Sequence, residues 1–264
     1  MIDLLYSLIL GLIQGLTEFL PISSSGHLAL ASHILNYTDN QDLSFEIFVH
    51  LGSLIAVFIY FRNDIIELLK SIVYYNNAEY NNNRKICLFL LIASIVTGII
   101  GFLTKNLIVN LFNYPIFVAC MIAVTGGILF ISDKLSQGFL KHYEIGSKKA
   151  ALIGLGQAFA LIPGISRSGT TITCSLLTGM DRKSAATFSF LLSIPAILGA
   201  NLSEFSTLLN LNSTLILNYL IGFIAAFVSG YVVIAWLIKL VINAKLKYFS
   251  YYCWFIAALF LVLL

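Results

Sequence analysis

Apolar residues run along this chain in stretches of about 17–20, long enough to cross a hydrocarbon core roughly 30 Å thick. The pattern predicts full membrane spans at 45–61, 86–103, 114–132, 184–200, 219–238 and 250–264. Two further apolar stretches do not read as ordinary spans. Residues 11–27, GLIQGLTEFLPISSSGH, carry a glutamate, a proline, three serines and a histidine. Residues 154–170, GLGQAFALIPGISRSGT, are broken by a Pro-Gly pair, two serines and an arginine. The two are related. A constant offset of 143 aligns them without a gap and matches seven of 17 positions: Gly11, Leu12, Gln14, Ile22, Ser23, Ser25 and Gly26.

The polar linkers orient these elements. Lys and Arg gather at Arg62, Lys70, Arg84 and Lys85, and again at Lys134, Lys141, Lys148 and Lys149. Smaller groups follow at Arg182 and Lys183 and at Lys239, Lys245 and Lys247, whereas 36–42 and 201–213 have neither residue. The positive-inside rule puts the basic linkers in the cytoplasm and the other two outside. Lys149 and Arg182 then share a side, so 150–181 must enter the membrane and turn back, at PGISRSG. Its relative, 1–35, turns at PISSSG and enters from the opposite face. The expected fold is an all-α polytopic membrane protein, an inverted-topology repeat with six full spans and two re-entrant helical hairpins. The repeats cover about 1–132 and 144–264 of a single membrane domain, 1–264, and 74–85 reads as a soft loop.

Composition narrows the class. The 264 residues are 59% hydrophobic and 10% charged, with mean hydropathy +0.94, against about 25% charged in a soluble domain. Most of the surface must therefore face lipid. The net charge of +3 is small and scattered, which argues against a nucleic-acid partner. MIDLLYSLIL lacks the basic n-region of a signal peptide, so it is expected to stay in the mature protein. Cys87, Cys120, Cys174 and Cys253, irregularly spaced in apolar runs, read as small buried thiols.

The candidate chemistry lies in the two broken stretches. Gln14 and Glu18, four apart, share a helix face, and a carboxylate at membrane depth marks a functional site. The plainer reading leaves Glu18 hydrated near the interface. Ser23, Ser24, Ser25, Gly26 and His27 precede a helix expected at 28–35, whose free N–H groups would attract an anion. Ordinary N-capping would need only one serine. His27 is a candidate acid or base. In the second stretch Ser166, Ser168, Gly169, Thr170 and Thr171 form a similar cap before a helix near 172–179, with Arg167 among them. An arginine there needs a phosphate or a carboxylate, and the plainer alternative is an internal ion pair with Glu18. At the offset of 143, Glu18 meets Leu161, Ser24 meets Arg167 and His27 meets Thr170. One copy holds acid, hydroxyl and imidazole; the other holds the cation. Such a pair suits a diphosphate, and the membrane suits a lipid tail.

QGLTEFLPISSSGH and PGISRSGTT resemble the two signature motifs of the undecaprenyl-diphosphate phosphatases of the bacitracin-resistance type, and FEIFVHLGSLIAV and FSFLLSIPAILGA extend the resemblance to essentially the whole chain. It implies hydrolysis of a polyprenyl diphosphate, a divalent cation (Mg²⁺ or Ca²⁺) on Glu18 and Gln14, an interdigitated inverted repeat and a homodimer in the plasma membrane. Many members carry Glu where this chain has Gln14. Carried over by motif position, Ser24 is the nucleophile, activated by Glu18 and His27. Arg167 holds the diphosphate with Ser166, Ser168 and Thr170, and phosphorylation of His27 itself stays open. The reactive hairpin enters beside loop 36–42, so the active site is expected to face the outer side. The rival class is a secondary transporter or flippase, which would move its anion without releasing phosphate.

Overall fold

The computed structural model describes residues 2–35, 43–135, 138–203, 213–242 and 246–263. Among them are eleven α-helices, so the all-helical expectation holds. Loop 36–42 and most of 201–213, used above for orientation, lie outside the described residues. In chain order the helices are α1 (Ile2–Phe19), α2 (Ser24–Ile34), α3 (Leu43–Tyr60), α4 (Arg62–Val73), α5 (Asn81–Leu111), α6 (Pro115–Asp133), α7 (Gly146–Phe159), α8 (Arg167–Leu177), α9 (Arg182–Ser203), α10 (Ser213–Ile242) and α11 (Leu246–Leu263).

Five helices are long and apolar enough to cross a membrane: α5, α6, α9, α10 and α11. A sixth candidate is α3 with α4, a pair bent by 77° at Phe61. The protein is a multi-pass membrane protein. The predicted spans all fall on these helices, but several boundaries move. The segment read as a soft loop, 74–85, contains a 3₁₀ turn at Ala78–Tyr80 and the first residues of α5. At 31 residues α5 is far longer than the predicted 86–103, about 46 Å at 1.5 Å per residue. α4 was read as part of a basic linker. Ile65, Leu68 and the small Ser71 face the bundle while Leu69, Ile72 and Val73 stay exposed, a three-residue spacing along one helix face that a charge count alone conceals. The thiols also differ from expectation: Cys253 is buried, Cys87 and Cys174 are partly so, and Cys120 is exposed.

Both broken stretches form a helix, a short turn and a second helix packed on the first: α1–α2 and α7–α8. The second arms start earlier than predicted, at Ser24 rather than 28 and at Arg167 rather than 172. The reason is local. The Ser23 hydroxyl accepts from Gly26 N at 3.2 Å and the Ser166 hydroxyl from Gly169 N at 3.0 Å, so the cap is the first polar residue of each run and those after it are already helical.

The first arms are held by the other half of the chain. α1 packs chiefly along α10, and α7 along α5. Small residues make this possible: a Cβ at Gly11 would lie 2.3 Å from the Gly222 carbonyl oxygen, and one at Gly15 the same distance from that of Ala226. Gly154, the counterpart of Gly11, sits against the Ala93 carbonyl, where a Cβ would come within 2.6 Å. Helices that touch backbone to backbone gain the contacts lipid cannot offer. The main buried cluster joins Phe19, Phe61, Phe188 and Phe190 at the centre, where α1, α3 and α9 meet.

Candidate active site

The two turns meet inside the bundle. α6 holds the second one: Thr125 donates to the Gly164 carbonyl and accepts from Ser166 N, both at 2.9 Å. Gly164 has a φ of +92°, and a Cβ there would strike the Val118 carbonyl oxygen, so only glycine fits. The first turn has no glycine at the matching place, which is Pro21. Instead Ser23 takes a φ of 71°, alone among the described non-glycine residues. Backbone held in this region stores on the order of 1–3 kcal/mol and clusters at functional sites. Across the junction the Ser168 hydroxyl donates to the Leu20 carbonyl at 3.1 Å, and a Cβ on Gly26 would come within 3.1 Å of Gly164 Cα.

Glu18 is the centre of what these turns bring together. Its side chain is 4% exposed. Arg167 Nη2 donates to Oε1 at 2.5 Å, while Ser24 Oγ at 2.7 Å and Gln14 Nε2 at 2.9 Å donate to Oε2. The plainer alternative considered for Arg167, an ion pair with Glu18, is therefore present. It does not exhaust the arginine, because Nη1 is buried without a partner, as are Thr170 Oγ1 and Gln14 Oε1. Buried polar atoms are normally paired. A guanidinium donor and an amide acceptor left unsatisfied on two partners of one carboxylate mark a place built for a polar ligand.

The remaining candidates divide. Ser23 and Ser166 spend their hydroxyls on capping, with Ser25 3.5 Å from the first and Ser168 3.3 Å from the second. Gly26 and Gly169 supply the capped N–H groups. Thr171 is turned away, its hydroxyl 2.5 Å from that of Ser189 on α9. His27 Nδ1 donates to the Ser23 carbonyl at 2.7 Å, and Nε2 lies 3.1 Å from the Tyr252 hydroxyl. Ser24 is thus hydrogen-bonded to Glu18, while both ring nitrogens of His27 have other partners.

Two neighbours were not singled out from the sequence. His50 Nε2 lies 3.4 Å from Glu18 Oε2, and Ser53 Oγ 3.5 Å from Gln14 Nε2. The signal was available, since Glu46, His50 and Ser53 fall at helical spacing on one face of an otherwise apolar α3. Tyr252 carried no signal, being one of several tyrosines in α11.

Among the described residues no three His, Cys, Asp or Glu side chains come together as a metal site. The donors nevertheless suit a divalent cation held partly by substrate. Mg²⁺ in phosphoryl transfer commonly takes one or two protein oxygens and fills its shell with phosphate and water, and Glu18 with the unpaired Gln14 Oε1 offers that set.

Comparison with known proteins agrees in extent. Residues 7–259 match the family described as "Bacitracin resistance protein BacA". The undecaprenyl-diphosphatase of Methanobrevibacter smithii is 40% identical, covering 96% of this chain and 95% of its own. That of Halothermothrix orenii is 41% identical over the same shares, and that of Methanosphaera stadtmanae 36% identical over 100% and 99%.

Proposed function

The chain belongs to the bacitracin resistance protein BacA family, and from that membership we propose that it is a membrane phosphatase that hydrolyses undecaprenyl diphosphate to undecaprenyl phosphate and inorganic phosphate. The observation that carries the reading is the junction itself: Ser24 Oγ is hydrogen-bonded at 2.7 Å to a buried carboxylate that also pairs with the arginine of the opposite turn. A hydroxyl nucleophile needs an adjacent base and an electrophile needs charge neutralised beside it. Glu18 and Arg167 are those two groups.

In this mechanism Ser24 Oγ attacks the terminal phosphorus and gives its proton to Glu18. The P–O bond to the inner phosphate breaks, and undecaprenyl phosphate leaves with its electron pair. Water then gives a proton to His27 Nε2 and attacks the phosphoserine; the bond from phosphorus to Ser24 Oγ breaks, inorganic phosphate departs and Ser24 recovers its proton from Glu18. Arg167 binds phosphate oxygens through Nη1, and the N-termini of α2 and α8 direct N–H groups at the same charge. A divalent cation on Glu18 and Gln14 would supply further neutralisation of the diphosphate.

We read the fold as an inverted repeat with two re-entrant hairpins, in the plasma membrane with the site open to the outer face. Three observations support the repeat, and the orientation rests on the distribution of Lys and Arg along the linkers. α2 and α8 are both 11 residues long and begin at 24 and 167, the sequence offset of 143. Ser23 and Ser166, at the same offset, cap them alike. Gly11 and Gly154, also equivalent, each seat a first arm on a long helix of the opposite half.

The test is direct. Purified protein incubated with undecaprenyl diphosphate and Mg²⁺ or Ca²⁺ should release one inorganic phosphate per lipid, and chelation should stop it. Absence of phosphate release in both metals would rule the phosphatase reading out.

A further inference from the structure

His27 has both nitrogens committed, and the second partner comes from the far end of the chain. Nδ1 faces the Ser23 carbonyl at 2.7 Å, and a carbonyl can only accept, so Nδ1 carries a proton. In the neutral ring Nε2 is then the acceptor, and the Tyr252 hydroxyl at 3.1 Å is its donor. The rings lie nearly parallel, at 5° with centroids 5.7 Å apart. Among the described residues no carboxylate forms an ion pair with His27.

The tyrosine is itself fixed. Trp254, two residues on, donates from Nε1 to the Ala123 carbonyl at 3.0 Å, and Gly126 leaves the room that its indole fills. α11 is thereby locked to α6, the helix that also holds the second turn through Thr125. Tyr252 is therefore tied to the same frame as the reaction centre, although it stands outside it. It is 39% exposed, whereas His27 is buried.

We propose that Tyr252 is a positioning residue for the phosphatase reaction, its hydroxyl and the Ser23 carbonyl together fixing His27 as a single tautomer with Nδ1 protonated and Nε2 the only nitrogen able to exchange a proton. The inference rests on the phosphatase reading for its kinetic consequence but not for its geometry. Any proton that His27 takes or gives passes at Nε2, where the Tyr252 hydroxyl stands. Without that hydroxyl the ring keeps one anchor and can turn about it, and the neutral form can exchange tautomers.

The chain has only four histidines, His27, His33, His50 and His142, so a ¹⁵N-histidine NMR spectrum of the detergent-solubilised protein can be assigned with a His27→Gln variant. Native His27 should give one sharp signal set of the Nδ1–H tautomer. Tyr252→Phe keeps the ring and should broaden that set into a tautomer mixture without changing the melting temperature. The same variant should lower kcat roughly tenfold, the worth of one hydrogen bond, with KM unchanged. A native His27 protonated on Nε2 alone would overturn the proposal, as would a Tyr252→Phe protein with native spectrum and native kcat. A loss of kcat that accompanies a lowered melting temperature and an unaltered tautomer would reduce Tyr252 to packing, and so reject the role. If no phosphate is released by any form, the spectra still decide the tautomer, so the two readings fail separately.

Discussion

Arg167 is the residue on which the proposed site turns, because it uses one arm of its guanidinium on Glu18 and keeps the other unpaired and buried. A planar fork can hold a carboxylate and a phosphate at once, and an ammonium cannot. Arg167→Lys should therefore lower kcat/KM on the order of 100-fold despite keeping the charge, measured as phosphate release from undecaprenyl diphosphate. Turnover near the native rate would remove the clamp role. Glu18 shows why a residue can be judged only with its partner. Taken from the sequence alone, Glu18→Gln relieves a buried charge and is expected to stabilise. In the structure it strands the Arg167 cation, and breaking such a pair from one side is destabilising, here by up to about 3 kcal/mol given that Arg167 is not fully enclosed. Glu18→Gln should thus unfold at lower denaturant than native, and Glu18→Gln with Arg167→Gln should recover most of the loss while both stay inactive. Equal stability of the single variant and the native protein would mean that the pair contributes nothing.

At the scale of the helix, the decisive feature is how closely α1 approaches α10. A Cβ at Gly15 would sit 2.0 Å from Ser229 Oγ and 2.3 Å from a carbonyl oxygen, and the carbonyl is backbone that cannot give way alone. Overpacking of this kind typically costs about 1–3 kcal/mol. Gly15→Leu should lower the melting temperature in detergent and reduce activity with it, since α1 carries both Gln14 and Glu18. Gly98→Ala is the control: nothing lies within 4 Å of its Cβ position, and replacing a helical glycine gains about 0.5–1 kcal/mol. A Gly15→Leu protein as stable as the Gly98→Ala one would show that α1 and α10 are not in contact in the membrane.

For the molecule as a whole the open axis is its orientation. The basic linkers, Arg62 to Lys85 and Lys134 to Lys149, are expected on the cytoplasmic side, opposite loop 36–42. In intact cells, on a background without the native cysteines, Thr38→Cys should react with a membrane-impermeant thiol reagent. Asn76→Cys, between the two basic groups of the first half, should react only after lysis. The reverse pattern would turn the bundle over and put the phosphatase site in the cytoplasm.

By itself the sequence determined the helical class, the places of the spans and the two polar breaks between them. These depend on local quantities: the length of an apolar run, the choice of proline and glycine, and the serine that caps a helix. The internal offset of 143 was likewise readable, because both copies keep the same turn residues. Helix starts were misjudged by four or five residues where a hydroxyl run hid which serine was the cap. The site needed the tertiary structure, since Glu18 and Arg167 are 149 residues apart and meet only when each first arm is docked on the other half of the chain. His50 was legible through its helical spacing with Glu46 and Ser53, but its partner Glu18 was not; for Thr125 and Tyr252 nothing local distinguishes a polar side chain facing lipid or a packing neighbour from one that holds the junction. Packing alone decided that, by turning one face of each helix inward.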